Sequence, residues 1–491
     1  MRQPIRLVAG DLLMTALQAL LAGAHVLLAL FVSAHIVLTK DDVRAAIGWT
    51  GLVWLTPVVG SALYGLFGIN RIRRQAGMLR RGRPLADSRT AELAATQEST
   101  ALVPTDAPPS LRGIATVVGR ATGLPLTPTN SVEVLVNGDQ AYPAMLAAID
   151  GAERSVGLAT YIFDRGQAGD RFVEALGRAV ARGVEVRVLI DGVGARYSRP
   201  PVFRALRARR VRTAAFLPPK IPFFQPYSQL RNHRKLLVVD GGLGFCGGMN
   251  IRDACLLALG LPSATQDVHF RLRGPVVQQL GHTFAFDWTF TTGERLDAGI
   301  WRSEPEPAGD VVARGLPEGP DEDFETLMLV LLGALSQARR SIRLATPYFL
   351  PDLPLVDALR IAALRGVRVE IVLPERGNLR MVEWAAMAQL GQIVKWGCHV
   401  YLSRPPFDHS KILVVDGSWS LVGSANWDPR SLRLNFEYDV ECYSTQLAAR
   451  LEALLDEKIA SGRRVTLVEL EGRPLALRLR DGVARLAQPY L

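Results

Sequence analysis

At 491 residues the chain exceeds one compact domain of about 100–200 residues, so two domains with added segments are expected, each able to bury its own core. A formal net charge of +10 points to an anionic partner, whether nucleic acid, an acidic membrane surface or a phosphorylated small molecule. The four cysteines (Cys246, Cys255, Cys398, Cys442) form no CxxC pair and have no metal-ligand spacing, which argues against a disulfide framework and for buried free thiols in a reducing compartment.

In chain order, residues 12–38 contain no Asp, Glu, Lys or Arg, and about twenty such residues cross a bilayer. The run is longer than the ~7–15-residue apolar core of a secretory signal. After the polar break TKDDVR, residues 45–69 form a second apolar run with Trp49, Trp54 and Tyr64, residue types favoured at membrane interfaces. Arginines 71, 73, 74, 80, 81 and 83 follow at once. The pattern predicts a transmembrane helical hairpin over residues 1–74, with everything after it cytoplasmic by the positive-inside rule.

Residues 75–127, rich in Ala, Thr, Pro, Ser and charge, read as a flexible linker. Beyond it a pattern occurs twice: amphipathic helix, apolar strand, helix, Arg-Gly break, strand. The first copy runs PAMLAAIDGAERSVGLATYIF and FVEALGRAVARGVEVRVLID; the second runs LMLVLLGALSQARRSIRLATPYF and LVDALRIAALRGVRVEIVLP. Alternating helices and short Val/Ile/Leu strands predict α/β layers. The expected domains are 128–318 and 319–491, related by a pseudo-twofold axis.

Each copy ends in a related stretch, NHRKLLVVDGGLGFCGGMN at 232–250 and DHSKILVVDGSWSLVGSAN at 408–426. His233/His409, Lys235/Lys411, Asp240/Asp416 and Asn250/Asn426 coincide. KLLVVD and KILVVD are strand-like and DG begins a turn, so both histidines lie near strand ends, and the twofold axis brings them face to face in one cleft.

The chemistry of such a set is that of phosphodiester attack. Lys235 and Lys411 neutralise the nonbridging oxygens, and Asn250 and Asn426 donate hydrogen bonds to the phosphate. Gly248 and Ser424 belong to the supporting turns, where small residues and Gly247 and Gly423 allow close backbone approach. With an unperturbed pKa of about 6.5, one imidazole acts as nucleophile and the other as general acid, then base. Each needs a carboxylate to fix its tautomer, and Asp267 and Glu437, in parallel places downstream of the two histidines, are the candidates. Histidines flanked by lysines repel a divalent cation and no acidic cluster completes a coordination sphere, so neither a metal nor another cofactor is expected.

These paired His-x-Lys-x4-Asp motifs resemble those of the phospholipase D superfamily. With the hairpin, VLVNGDQAYPAMLAAIDGA, the FDW near residue 287, GGMN and GSANWDPRSLRLNFE, the chain from about residue 45 to 480 is similar to the bacterial cardiolipin synthases. The resemblance implies tandem phospholipase D-like α/β/α sandwich domains and a metal-independent phosphatidyl transfer through a phosphohistidine. It implies phosphatidylglycerol as donor and acceptor, with glycerol leaving. By analogy His233 is the nucleophile and His409 the general acid, with the reverse left open by symmetry. Asp240 and Asp416 come with the catalytic motif. The implied setting is the bacterial inner membrane, with no nucleic-acid partner. One departure is Thr265-Gln266, where the family has Trp-Arg before the acid.

Phe223, Phe224 and Tyr227 suit either an apolar lip for acyl chains or a packed loop. Leu475, Leu479, Val483 and Leu486 share one stripe of a basic C-terminal helix, interfacial or packed on the second domain. Two competing activities remain: a hydrolase with water as acceptor, giving phosphatidic acid, and a superfamily nuclease, favoured by the basic charge and disfavoured by the hairpin.

Overall fold

In a computed structural model, residues 4–40, 43–68, 101–103, 109–218, 230–319 and 326–488 are described. The chain divides into two compact units, Met1–Met78 and Leu79–Leu491. The arginine-rich exit at 71–83, most of the expected linker and the Phe223, Phe224 and Tyr227 segment lie outside the described residues.

In the first unit a helix spans Pro4–Thr39. Its stretch Gln18–Thr39, 22 residues, is long and apolar enough to cross a membrane, reaching about 33 Å against a hydrocarbon core of about 30 Å. The second apolar run is helical but interrupted, as Val43–Leu55, Pro57–Leu63 and a π-helical turn Tyr64–Gly68. Pro57 lacks the N–H needed to continue the helix and instead starts a new one. The expected second span is therefore two short helices rather than one of membrane length. They pack on the first: Trp54 Nε1 donates to Ser33 Oγ at 3.1 Å, and His35 Nδ1 lies 2.8 Å from Tyr64 Oη.

The second unit corrects the reading of 75–127 as linker throughout. Pro109–Thr122 is a helix. Leu111, Ile114, Ala115 and Val118 recur at helical spacing, are buried, and pack in one cluster with Leu327, Leu331 and Leu335. The Ala/Thr/Pro/Ser composition around it conceals that stripe.

The first half contributes β1 (Thr127–Val136), β2 (Ser155–Thr160), β3 (Glu185–Asp191), β4 (Arg212–Phe216), β5 (Arg231–Asn232), β6 (Leu236–Val239), β7 (Leu243–Gly247), β8 (Thr265–Gln266) and β9 (Val268–Arg273). The second contributes β10 (Val311–Glu318), β11 (Ser341–Ala345), β12 (Arg368–Pro374), β13 (His399–Ser403), β14 (Phe407–Asp408), β15 (Ile412–Val415), β16 (Trp419–Gly423), β17 (Asn435–Tyr443) and β18 (Arg463–Val465). The main sheet runs β18-β13-β12-β11-β15-β16-β17-β10-β1-β9-β7-β6-β2-β3-β4. Read outward from its middle, it is the same seven-strand series twice, an antiparallel inner part and then three parallel strands reached by helical crossovers, with β18 added antiparallel to β13 at one edge. All six residues of β2 are buried, as suits a strand covered on both faces.

The seam is the antiparallel pair β1 and β10, with Thr127 opposite Ala313 and Asn130 opposite Val311. β10, which a boundary at 318 assigns to the first domain, also pairs with β17, so the halves share strands instead of meeting at a linker. Each has its own outer core. A third core joins Val238, Cys246, Phe270 and Phe284 to Val414, Tyr438, Val440 and Leu451.

Because Ile114 is fully buried, Ile114→Ala is expected to destabilise the full-length protein by about 2–4 kcal/mol. Thermal or denaturant unfolding would show it, and an unchanged midpoint would return this segment to the status of a tether.

Candidate active site

Each motif begins on a two-residue strand that pairs in parallel with residues preceding the other half's acid. In β5, Arg231 and Asn232 lie opposite Asn435 and Phe436, just before Glu437. In β14, Phe407 and Asp408 lie opposite Thr265 and Gln266, just before Asp267. The next backbone N–H continues each ladder: His233 N donates to Phe436 O at 2.9 Å, and His409 N donates to Gln266 O at 2.7 Å. Thr265-Gln266 thus serves the site through its backbone.

The crossing decides the acid partners. His233 Nδ1 lies 2.9 Å from Glu437 Oε2, and His409 Nδ1 lies 2.8 Å from Asp267 Oδ2. In chain order each acid follows the histidine of its own half; in space each serves the histidine of the other. With Nδ1 donating to a carboxylate, the reactive lone pair is on Nε2. Both acids are buried, and the two imidazole side chains are 12% and 11% exposed.

The carboxylates are held differently. Ser424 Oγ donates to Glu437 Oε2 at 2.6 Å, and Asn435 Nδ2 donates to Oε1 at 3.0 Å. Asp267, one methylene shorter, sits against Gly248, where a Cβ would come within 2.5 Å of Oδ1.

Burial dominates the electrostatics. It pushes both His233 and His409 down to about 4, against the opposing pull of Glu437 and Asp267 respectively. Desolvation, with Lys411 nearby, lowers Lys235 to about 7, and desolvation also lowers Lys411 to about 8, despite the neighbouring acids. Glu437 is held at about 2: burial raises it, and the charge of His233, its hydrogen bond and Lys235 outweigh that. Lys235 Nζ donates to His233 O at 2.6 Å and lies 5.6 Å above the Tyr161 ring. Lys411 Nζ donates to His409 O at 2.6 Å and also lies 3.0 Å from His409 Nε2.

His233, Lys235, His409, Lys411, Asp267, Glu437, Gly248 and Ser424 are therefore brought together. Asn250 is half-buried; its Oδ1 accepts from Ile162 N at 3.0 Å. Asn426 is buried, and its Nδ2 donates to Ser431 Oγ at 3.1 Å. Both asparagines thus brace the turns beside the site.

Asp240 and Asp416 require correction as catalytic residues. They stand past the far ends of β6 and β15, five residues from each lysine, about 16 Å along a strand. There Asp240 accepts from the backbone N–H groups of Glu153, Arg154 and Ser155, and Asp416 from those of Arg339, Arg340 and Ser341. Their φ values of 51° and 54° begin the hairpin turns, a conformation in which Asp is among the tolerated residues. The motif's aspartates tie strand ends to loops, away from the two histidines.

Further positioning residues escape a motif reading. Asn232 and Asp408 each accept, through Oδ1, the backbone N–H two residues on at 3.1 Å, clasping the histidine between. Buried Arg234 pairs with Asp287 and donates to Glu437 O at 2.8 Å and Glu318 O at 2.7 Å. Tyr161 sets its ring edge-on to His233 at 5.2 Å, and Tyr348 does so to His409 at 6.2 Å. The repeated LATYIF and LATPYF and the FDW at Asp287 were their signals.

A family model described as "Cardiolipin synthase, PLD-like domain" matches residues 145–288 and 331–459, once on each half. The chain belongs to this family. It is 31% identical over 468 residues to the cardiolipin synthase of Geobacillus kaustophilus (strain HTA426), covering 94% of this chain and 92% of that one. To the major cardiolipin synthase ClsA of Bacillus subtilis (strain 168) it is 31% identical over 487 residues, covering 95% and 99%. The crystal structure of phosphatidylserine synthase from Haemophilus influenzae Rd KW20 has the same fold, with a TM-score of 0.60 over 78% of this chain and 100% of that one, at 16% identity. The doubled phospholipase D-like architecture expected from the repeat is thereby shown.

Two substitutions separate the motif's parts. Asp416→Ala strands three backbone donors in a buried turn and is expected to cost about 2–4 kcal/mol while each folded molecule keeps most of its turnover. His233→Ala should leave the thermal midpoint within a few degrees of the parent and remove turnover; melting curves beside activity per folded molecule distinguish them.

Proposed function

We propose that the protein is a membrane-bound phosphatidyltransferase that makes cardiolipin from two molecules of phosphatidylglycerol and releases glycerol. The observation that carries this reading is the crossed pairing in which each motif histidine, beside its lysine, is hydrogen-bonded to the opposite half's acid. The family membership narrows the chemistry to phospholipids.

In the first step His233 Nε2 attacks the phosphorus of one phosphatidylglycerol. The bond from phosphorus to the headgroup glycerol oxygen breaks, and protonated His409 gives that oxygen its proton. In the second step neutral His409 takes the proton from a hydroxyl of the second phosphatidylglycerol. The freed oxygen displaces His233 from phosphorus, forming cardiolipin and restoring the enzyme. Lys235 and Lys411 neutralise the phosphate oxygens. The bound phosphodiester returns negative charge to the pocket, favouring a protonated His409.

The assignment of His233 as nucleophile is supported by an asymmetry: both lysines donate to the carbonyl of their own histidine, but Lys411 Nζ also lies against its imidazole ring, 2.9 Å from His409 Nδ1 and 3.0 Å from Nε2. His409 has a neighbouring ammonium from which its proton is replenished, and Nε2 of His233 is left for attack. The helix Gln18–Thr39 supports anchoring in a bacterial cytoplasmic membrane. The arginines that follow the second apolar run favour a multi-pass arrangement with the catalytic body in the cytoplasm.

Purified full-length protein given phosphatidylglycerol vesicles in chelator is expected to yield cardiolipin and glycerol, and His233→Ala and His409→Ala to yield neither. Phosphatidic acid as sole product would replace the transferase by a hydrolase. A substrate whose nitrophenol leaving group departs without protonation tests the roles: His409→Ala should still release one burst of nitrophenol and His233→Ala none. The opposite pattern exchanges the two histidines.

The pH profile follows from the shifts. Neutral His233 is lost on protonation below about 4, and the Lys235 ammonium is lost on deprotonation above about 7. Because His409, also lowered to about 4 in the free enzyme, must carry the proton it donates, kcat/KM is expected to decline as pH rises and to fall further above about 7 with the loss of the Lys235 ammonium; a profile flat from pH 5 to 9 would overturn both His409 as the acid and Lys235 as a phosphate ligand.

A further inference from the structure

The last helix, Leu475–Leu486, is amphipathic with its faces reversed. Leu475, Leu479, Val483 and Leu486 are 69%, 60%, 66% and 80% exposed, and at 100° per residue they fall within about 80° of arc. The inward side buries Ala484 and a charge, Asp481. That aspartate pairs with Arg473 at 2.6 Å and Arg480 at 2.8 Å, and the Arg480 guanidinium lies 4.4 Å from the centre of the Trp384 ring. Polar contacts, with the packing of Ala484 on Leu350, Val382 and Ala385, thus hold the helix to the body, leaving its most apolar stripe in solvent. Between it, the helix Arg380–Val394 and the segment Leu467–Glu471 lies an open groove of about 810 Å³, lined by Leu479 and Leu486, by the cations Lys395, Arg478 and Arg485, and by the carboxylates Glu471 and Asp481.

We propose that this stripe and groove form a docking surface for a bilayer containing anionic phospholipid. A stripe of four aliphatic side chains is contact surface for an apolar phase. Cations at its margin, on a chain of net charge +10, complement lipid phosphates. The surface also connects to the site. Ala484 packs in one cluster with Leu350 and the adjoining Tyr348, whose ring lies 6.2 Å from His409, and Gln488 Nε2 donates to Leu350 O at 3.0 Å. Docking here sets the half that carries His409 at the level from which a diacyl lipid is drawn. The inference does not rest on the reaction proposed above, and its test uses catalytically silent protein.

The four native cysteines are buried, so Val483→Cys in the full-length His233→Ala chain accepts an environment-sensitive dye selectively. The protein is reconstituted in phosphatidylcholine vesicles, or in an equal mixture of phosphatidylcholine and phosphatidylglycerol, each with lipid-attached quenchers. Quenching at least twofold greater in the mixed vesicles is expected, reduced by high salt, by Arg478→Glu and by Leu479→Glu, with the thermal midpoint of each variant unchanged. Absent quenching, or equal quenching in both vesicles, overturns the proposal. So does a concentration-dependent blue shift in lipid-free detergent, which would make the occupant a second copy of the chain.

Discussion

The paired-motif site depends on one constraint: each motif histidine is completed by a carboxylate from the other half. Two-residue strands before the histidines pair with the residues before the opposite acids, so the backbone ladder and the imidazole-carboxylate hydrogen bond enforce the same crossing. Neither half alone holds a histidine with its tautomer set. The shared seam β1 and β10 and the shared core keep the two registers fixed relative to one another. A phosphodiester bound between the lysines would therefore meet two imidazoles whose geometry is set by the whole body rather than by local loops.

Burial gives the site its chemical bias. In water two lysines and two histidines would carry charge that repels and titrates freely. Here desolvation lowers all four, so the histidines start neutral and the lysines stand near physiological pH. Desolvation acts against every charged form, while the buried acids act only locally; a negative charge brought beside these four groups would favour their protonated forms. The same balance shows one residue pair farther in. Asp439 is raised to about 7 by burial and by Glu437, while His269, its counterpart in the other half, is lowered to about 4.

Duplication supplies near symmetry, and particular residues depart from it. Ser424 hydrogen-bonds Glu437 where Gly248 makes room for the shorter Asp267. Arg234 is locked between Asp287 and two backbone carbonyls, whereas Ser410 in the same place donates its hydroxyl to Asp408. The second lysine touches its own imidazole ring and the first does not.

Much was legible in the sequence because it is written in local pattern. The doubled His-x-Lys motif, the alternation of helix and strand and the apolar stretch within 12–38 follow from periodicity and composition, which act over a few residues. The short-range signals misled where composition masked a stripe, as at Ile114, or where a proline split an apolar run, as at Pro57. They misled again at Asp240 and Asp416, whose place in the motif reflects a turn that any hairpin of this shape needs. What only the tertiary structure decided is which acid serves which histidine, and that the halves share one sheet. Such choices depend on pairings between residues some two hundred positions apart, and a linear pattern holds no record of which strand end will meet which.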